Sequence, residues 1–238
     1  MQIVVNETFV KSRARIGNTA HLISMGLLIL GFILSVVYPN YGVEFLFGAY
    51  MAMILALLVL SYSRNFTRRW GTRFRQDVQL VPGLRGLDNR HTMFNYPGPE
   101  LPDHLVVGPT GLYILVPRAN SGTIKFDGRR WSRGSLGGGF FRSLSEGALG
   151  NPLQDVNKAL TQIAGFIKKN GSPELVEGLE ARPIIVFTHP DARLEIRNSP
   201  VPAMLVRELR SVFRKAKETL EPAKMEELKR ILGLEEKP

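Results

Sequence analysis

The chain has 238 residues, enough for one or two domains with a sizeable core, and no cysteine, which excludes disulfide frameworks, thiolate metal sites and cysteine nucleophiles. Lys and Arg (31) outnumber Asp and Glu (21), a formal +10 that favours acidic partners such as nucleic acid or anionic lipid without choosing between them. The mean hydropathy of -0.02 is that of an ordinary soluble protein, but it averages two unlike regions.

Residues 22–38 and 45–62 are two apolar runs in which Glu44 is the only formal charge between Gly17 and Arg64. About 20 helical residues cross a hydrocarbon core of about 30 Å, and both runs are near that length. Between them Pro39-Asn40-Tyr41-Gly42 predicts a tight reversal, so residues 20–63 are read as a transmembrane helical hairpin, with 1–19 a cytoplasmic segment before it. Lys11, Arg13 and Arg15 precede the hairpin, and Arg64, Arg68, Arg69, Arg73 and Arg75 follow it. By the positive-inside rule the protein is integral to the cytoplasmic membrane with both termini cytoplasmic, Arg64, Arg68 and Arg69 fixing the orientation. A cleaved leader is disfavoured, because no small-x-small site follows the first run and a second run does. The other reading makes both runs buried helices of a soluble core.

From Arg64 the composition becomes that of a globular α/β domain, read as 64–200 with C-terminal helices over 201–238. Residues 104–108 and 111–116 read as strands around Gly108-Pro109-Thr110-Gly111, and 123–126 as a strand meeting a two-residue turn at Asp127-Gly128, with 129–132 returning. The glycine-rich stretch 134–150 lacks the Gly-Lys-Ser/Thr ending of a phosphate-cradling loop and is read as a flexible connection. Asn151-Pro152 predicts a helix start, Val156, Ala159, Leu160, Ile163, Phe166 and Ile167 its buried face, and Lys168, Lys169 and Gly171 its end. Strands follow at 182–188 and 194–197. Leu205, Leu209, Val212, Phe213, Ala216 and Leu220 outline a second amphipathic helix, and Met225, Leu228, Ile231 and Leu232 a third after Pro222, their apolar faces packing on the sheet.

Residues 101–122 (LPDHLVVGPTGLYILVPRANSG), Trp131, Asn151-Pro152-Leu153 and 182–188 (RPIIVFT) together resemble, in that order, the nuclease-related domain (NERD) family over about residues 71–197. The resemblance implies a restriction-endonuclease-like α/β fold, a mixed sheet flanked by helices, here behind a membrane anchor. The family's chemistry calls for an Asp opening one strand and Glu-x-Lys on its neighbour; residues at i and i+2 share a strand face, so both aim at the Asp. Asp103 matches the Asp. Val116 stands where the Glu belongs, Pro117 between, and Arg118 where the Lys belongs. Val116 offers no oxygen to a hard cation, and Arg118 stays protonated, so it clamps a phosphate but cannot act as a base. The family's first-helix acid falls near Arg75, with Asp77 close by, and Gln154 and Asp155 compete for its helix glutamine.

The expectation is therefore a catalytically degenerate module that binds nucleic acid or another partner at the cytoplasmic face, with no cofactor. Its surface is Arg118, Lys125, Arg129, Arg130, Arg133 and Arg142 with Phe126 and Trp131 between them, arginines beside aromatics suiting phosphates and bases. Against this stands a solvated hairpin with Trp131 covering the core. One alternative is an active nuclease using Mg²⁺ or Mn²⁺, in which Glu100 or Asp127 joins Asp103 as metal ligand; otherwise Asp103 caps a loop or pairs with Arg118. Another is a membrane scaffold or protein-interaction module with Gly26, Gly31 or Gly48 in close helix packing. His21, His91, His104 and His189 have no metal-ligand spacing, and no Gly-x-Ser-x-Gly elbow occurs. The +10 is carried by residues 64–75 (five Arg, no acid) and 118–142 (six cations against Asp127); the first borders a membrane helix, which leaves the second as the ligand surface.

Overall fold

The computed structural model describes residues 1–71, 75–134 and 149–233, without the side chains of 38–41, 65, 68 and 69. Arg73, Arg142 and most of the glycine-rich stretch lie outside the described residues, as do the side chains of Arg68 and Arg69. Two compact units are present, Glu7–Arg75 and Met1–Asn6 with Gln76–Pro238, a division unlike the expected 1–19, 20–63, 64–200 and 201–238.

The first unit is a helical hairpin, α1 (Glu7–Tyr41) and α2 (Val43–Trp70). The reversal is tighter than the four residues expected. α1 runs through Pro39, and Gly42 alone turns the chain, at φ 110°, a conformation open to glycine. The buried positions repeat every seven residues, Val10, Gly17, Ser24 and Gly31 on α1 and Ala49, Ala56, Ser63 and Trp70 on α2. Between Val10 and Trp70 at the two ends, these positions are Gly, Ser and Ala, and a seven-residue repeat of such small side chains lets two antiparallel helices wrap closely. A Cβ on Gly31 would lie 3.1 Å from the Ala49 carbonyl oxygen, and the Ser63 hydroxyl donates to the Gly17 carbonyl at 2.9 Å. Gly31 is thus the packing glycine, while Gly26 has open space around it. Both helices are long and apolar enough to cross a membrane, and only 11% and 17% of their most apolar windows are buried, so their side chains point outward instead of filling a soluble core.

The second unit is an α/β sandwich on a six-stranded mixed sheet, β1 (Gln2–Val5), β2 (Thr92–Asn95), β3 (His104–Gly108), β4 (Gly111–Arg118), β7 (Ala181–Phe187) and β9 (Ala203–Leu205) in that spatial order. β2, β3 and β4 form an antiparallel meander; β1 is parallel to β2, β7 to β4, and β9 to β7. β4 is apolar almost throughout because both faces are covered. Leu112, Ile114 and Val116 join Ile185 and Phe187 against α4 (Pro152–Asn170) and α7 (Pro222–Leu232), whereas Tyr113, Leu115, Ile184 and Val186 meet α3 (Gln76–Leu84) and α6 (Leu209–Lys215). α4 starts as its cap predicts, the Leu153 amide donating to Asn151 Oδ1 at 3.2 Å. A short helix, α5 (Pro173–Gly178), follows.

A second sheet holds β6 (Trp131–Arg133), β5 (Gly122–Phe126) and β8 (Ala192–Ile196). Phe126 pairs with Trp131, so the turn holds four residues, 127–130, and not two: Asp127 Oδ1 accepts the amides of Arg129 and Arg130, both at 2.9 Å, and this wider turn absorbs Arg129 and Arg130 from the expected return strand. The long helix expected from Leu205 is also corrected. Leu205 ends β9, Val206–Glu208 form one 3-10 turn, and α6 covers only Leu209–Lys215.

Candidate functional site

The expected site lies at the open end of the β3–β4 meander. Asp103 directly precedes β3, half-buried, and its carbonyl accepts the Tyr96 amide at 2.6 Å. Tyr96 is one of two non-glycine residues with positive φ among the described residues, at 55°, and lies buried beside His104, whose ring centroid is 5.0 Å away. His104 Nδ1 and Asn95 Oδ1 are 2.8 Å apart across the β2–β3 pair, so a buried polar cluster underlies the Asp103 turn. The last β3–β4 pair is Leu105 with Ile114, so Asp103 lies two residues before the ladder and Val116 two residues beyond it. Val116 is 8% exposed and belongs to the core beside α4.

Arg118 is on the same strand face, with its guanidinium against Asp155 in the first turn of α4. Of Gln154 and Asp155 at the helix start, Asp155 is the residue that reaches the strand, as the carboxylate partner of Arg118. The Thr188 amide donates to the Arg118 carbonyl at 2.9 Å, and the Thr188 hydroxyl to Gln79 Oε1 at 2.6 Å, tying β4, β7 and α3 together. On α3 Asp77 is buried, while Arg75 pairs with Glu7 at 3.4 Å.

Of the carboxylates expected to join Asp103, Glu100 is exposed, and Asp127 is committed to its turn, where the Arg130 and Arg129 amides hold its carboxyl below the usual range. Among the described residues no three Asp, Glu or His side chains are grouped to hold a metal. Mg²⁺ asks for about six oxygens. With an aliphatic Val116 and the Arg118 guanidinium at the end of β4, the residues present do not fit that ion.

The cationic hairpin is divided by its pleat. Ile124 and Phe126 point into the core, and Trp131 joins them, its ring centroid 4.8 Å from Phe126 and 5.9 Å from Phe187. Its indole Nε1 is buried. Arg133 also faces inward, donating to the Ser121 carbonyl at 2.8 Å and hydroxyl at 2.9 Å. Lys125 faces solvent, 2.7 Å from Glu195 on β8. Arg129 and Arg130 stand at the tip, the Arg130 side chain 84% exposed and 3.8 Å from Asp127. Arg193 and Arg197 are exposed and alternate with Leu194 and Ile196, so they extend the Lys125 face. The sequence reading missed these two arginines, although the alternation Arg-Leu-Glu-Ile-Arg signals a half-buried strand.

His91 and His189 make short local contacts. His91 Nδ1 is 2.6 Å from Asp88 Oδ1, and the Asp191 amide donates to His189 Nδ1 at 3.1 Å. Burial pushes the Asp88 carboxyl up, but hydrogen bonds from His91 and Arg90 outweigh this and hold it below its ordinary value. No family model, curated protein or solved structure matches the chain.

Proposed function

We propose that this protein is a membrane-anchored, nuclease-like domain of the NERD type that has lost its hydrolytic residues and binds nucleic acid through the solvent face of its small sheet. The hairpin crosses the cytoplasmic membrane, and both of its ends lead into the same domain on the cytoplasmic side. A mixed sheet covered on both faces accords with a restriction-endonuclease-like fold.

The observation that carries the reading is the end of β4, where Val116 packs into the core and Arg118 is drawn to Asp155. An aliphatic side chain in the place of the second carboxylate leaves no seat for a hydrolytic metal, and a guanidinium cannot accept a proton from water. What remains is charge on the outer face, where Arg129, Arg130, Arg193 and Arg197 are exposed and Lys125 shares its charge with Glu195. Trp131 and Arg133 face inward and support that surface from below.

Anisotropy titrations of labelled single-stranded DNA and RNA against the detergent-purified chain test this. Arg129→Glu/Arg130→Glu is expected to weaken binding at least tenfold and to lower the slope of log affinity against log salt by about 1.4, the change for two lost phosphate contacts. Absence of salt-dependent binding to either polymer would reject the reading in favour of a scaffold.

A further inference from the structure

The paired helices of the hairpin continue well past the apolar runs, and their seam gives the level of each cation. The Ser63 hydroxyl bonds to Gly17, Phe9 and Trp70 meet edge to face at 5.6 Å, and Glu7 pairs with Arg75 at 3.4 Å, so α1 and α2 stay together to their ends. From the Gly17–Ser63 layer to Gly42, α1 rises about 37 Å. A hydrocarbon core is about 30 Å thick and each headgroup zone adds about 5–7 Å. Centring the apolar stretch in a bilayer sets the Gly17–Ser63 layer among the headgroups. Arg15, two residues from Gly17, and Arg64, next to Ser63, share that level, and both are exposed.

Lys11 and Arg13 come next along α1, the guanidinium of Arg13 5.1 Å from the centre of the Phe9 ring. Glu7 is the only acid of residues 7–19, and Arg75 engages it. Arg15 and Arg64 therefore present positive charge at the depth of lipid phosphates with no described carboxylate beside them.

We infer that this layer binds acidic phospholipids selectively, as a collar at which Arg15 and Arg64 each hold an anionic headgroup. The inference rests on the reading that the hairpin crosses the bilayer. It assigns these arginines a role in the assembled protein, beyond steering insertion.

The test reconstitutes the full chain in phosphatidylcholine vesicles with traces of spin-labelled phosphatidylglycerol or spin-labelled phosphatidylcholine, and compares the motionally restricted fraction of each. The wild type is expected to restrict the acidic label about two- to fivefold more strongly, a cation near the surface contributing up to about fivefold. Arg15→Gln/Arg64→Gln is expected to bring the two labels close to equality while still restricting phosphatidylcholine, which reports an inserted hairpin. Equal restriction by the wild type, or a preference untouched in the variant, overturns the inference alone. Restriction of neither lipid overturns the membrane reading and the inference with it.

Discussion

In Asp155→Asn the carboxylate facing Arg118 becomes an amide of the same shape, and the charge of the pair is lost. Only 19% of the Arg118 side chain is exposed, and its Nε is buried without an acceptor, so the guanidinium cannot regain water without moving. A hydrogen bond to a charged group contributes about 1.5–3 kcal/mol. Asp155 is 52% exposed, and solvent screening draws the value to the low end, while the asparagine oxygen retains part of the bond. A loss of about 1 kcal/mol follows, and for a unit of this size that lowers Tm by roughly 2–4 °C. Thermal unfolding of the detergent-solubilised chain, followed by tryptophan fluorescence, reads this. Arg118→Gln and the double variant complete a cycle whose coupling energy should be about 1 kcal/mol. Strictly additive effects in the cycle would refute the pairing.

Four further outcomes are expected. Val116→Glu buries a carboxylate at the end of β4 and should cost about 2–4 kcal/mol; Mn²⁺ should then raise the Tm of the variant and leave the wild type unchanged, and an equal response of the wild type would count against Val116 as the missing metal ligand. In Gly83→Ala the new Cβ would sit 2.2 Å from the Val206 carbonyl oxygen, so α3 must move; a net loss of about 1–3 kcal/mol is expected despite alanine's better helix propensity, and an unchanged Tm would contradict that contact. The folded Asp127 carboxyl lies below its ordinary 3.8, so its contribution to the turn is complete above that value and is lost as pH falls through the lower, folded value. Arg129 and Arg130 amide shifts should therefore stay constant from pH 7 to about 5; a shift in that window would refute this account. With no native thiol, single cysteines at Asn40 and Gly233 report topology: an impermeant reagent on intact cells should label the first and spare the second.

The parts of the fold that were legible in the sequence carry local signals. Asn151-Pro152 and the 3.6-residue apolar spacing mark α4, and the continuous apolar runs of β4 and β7 mark strands covered on both faces. What was missed depends on distant partners. Gln2–Val5 is an ordinary short apolar stretch until Thr92–Asn95 pairs with it, and that pairing joins the first residues to the domain beyond the hairpin. Leu205 suits a helical face by spacing, yet β7 takes it as an edge strand. At the candidate site, the placement of Asp103 before β3 and of Val116 and Arg118 on β4 was legible because a meander keeps strands that are neighbours in sequence side by side. The role of Asp155 needed the tertiary approach of α4, and the inward turn of Trp131 needed the register of β6 against β5.

What is proposed is a nuclease-like frame that binds without cutting. Detergent-purified wild type and Asp103→Ala should be incubated with single- and double-stranded DNA and RNA, each with and without Mg²⁺ or Mn²⁺. Salt-sensitive binding with intact polymer in every lane is the predicted result. Metal-dependent cleavage by the wild type that disappears in Asp103→Ala would contradict it.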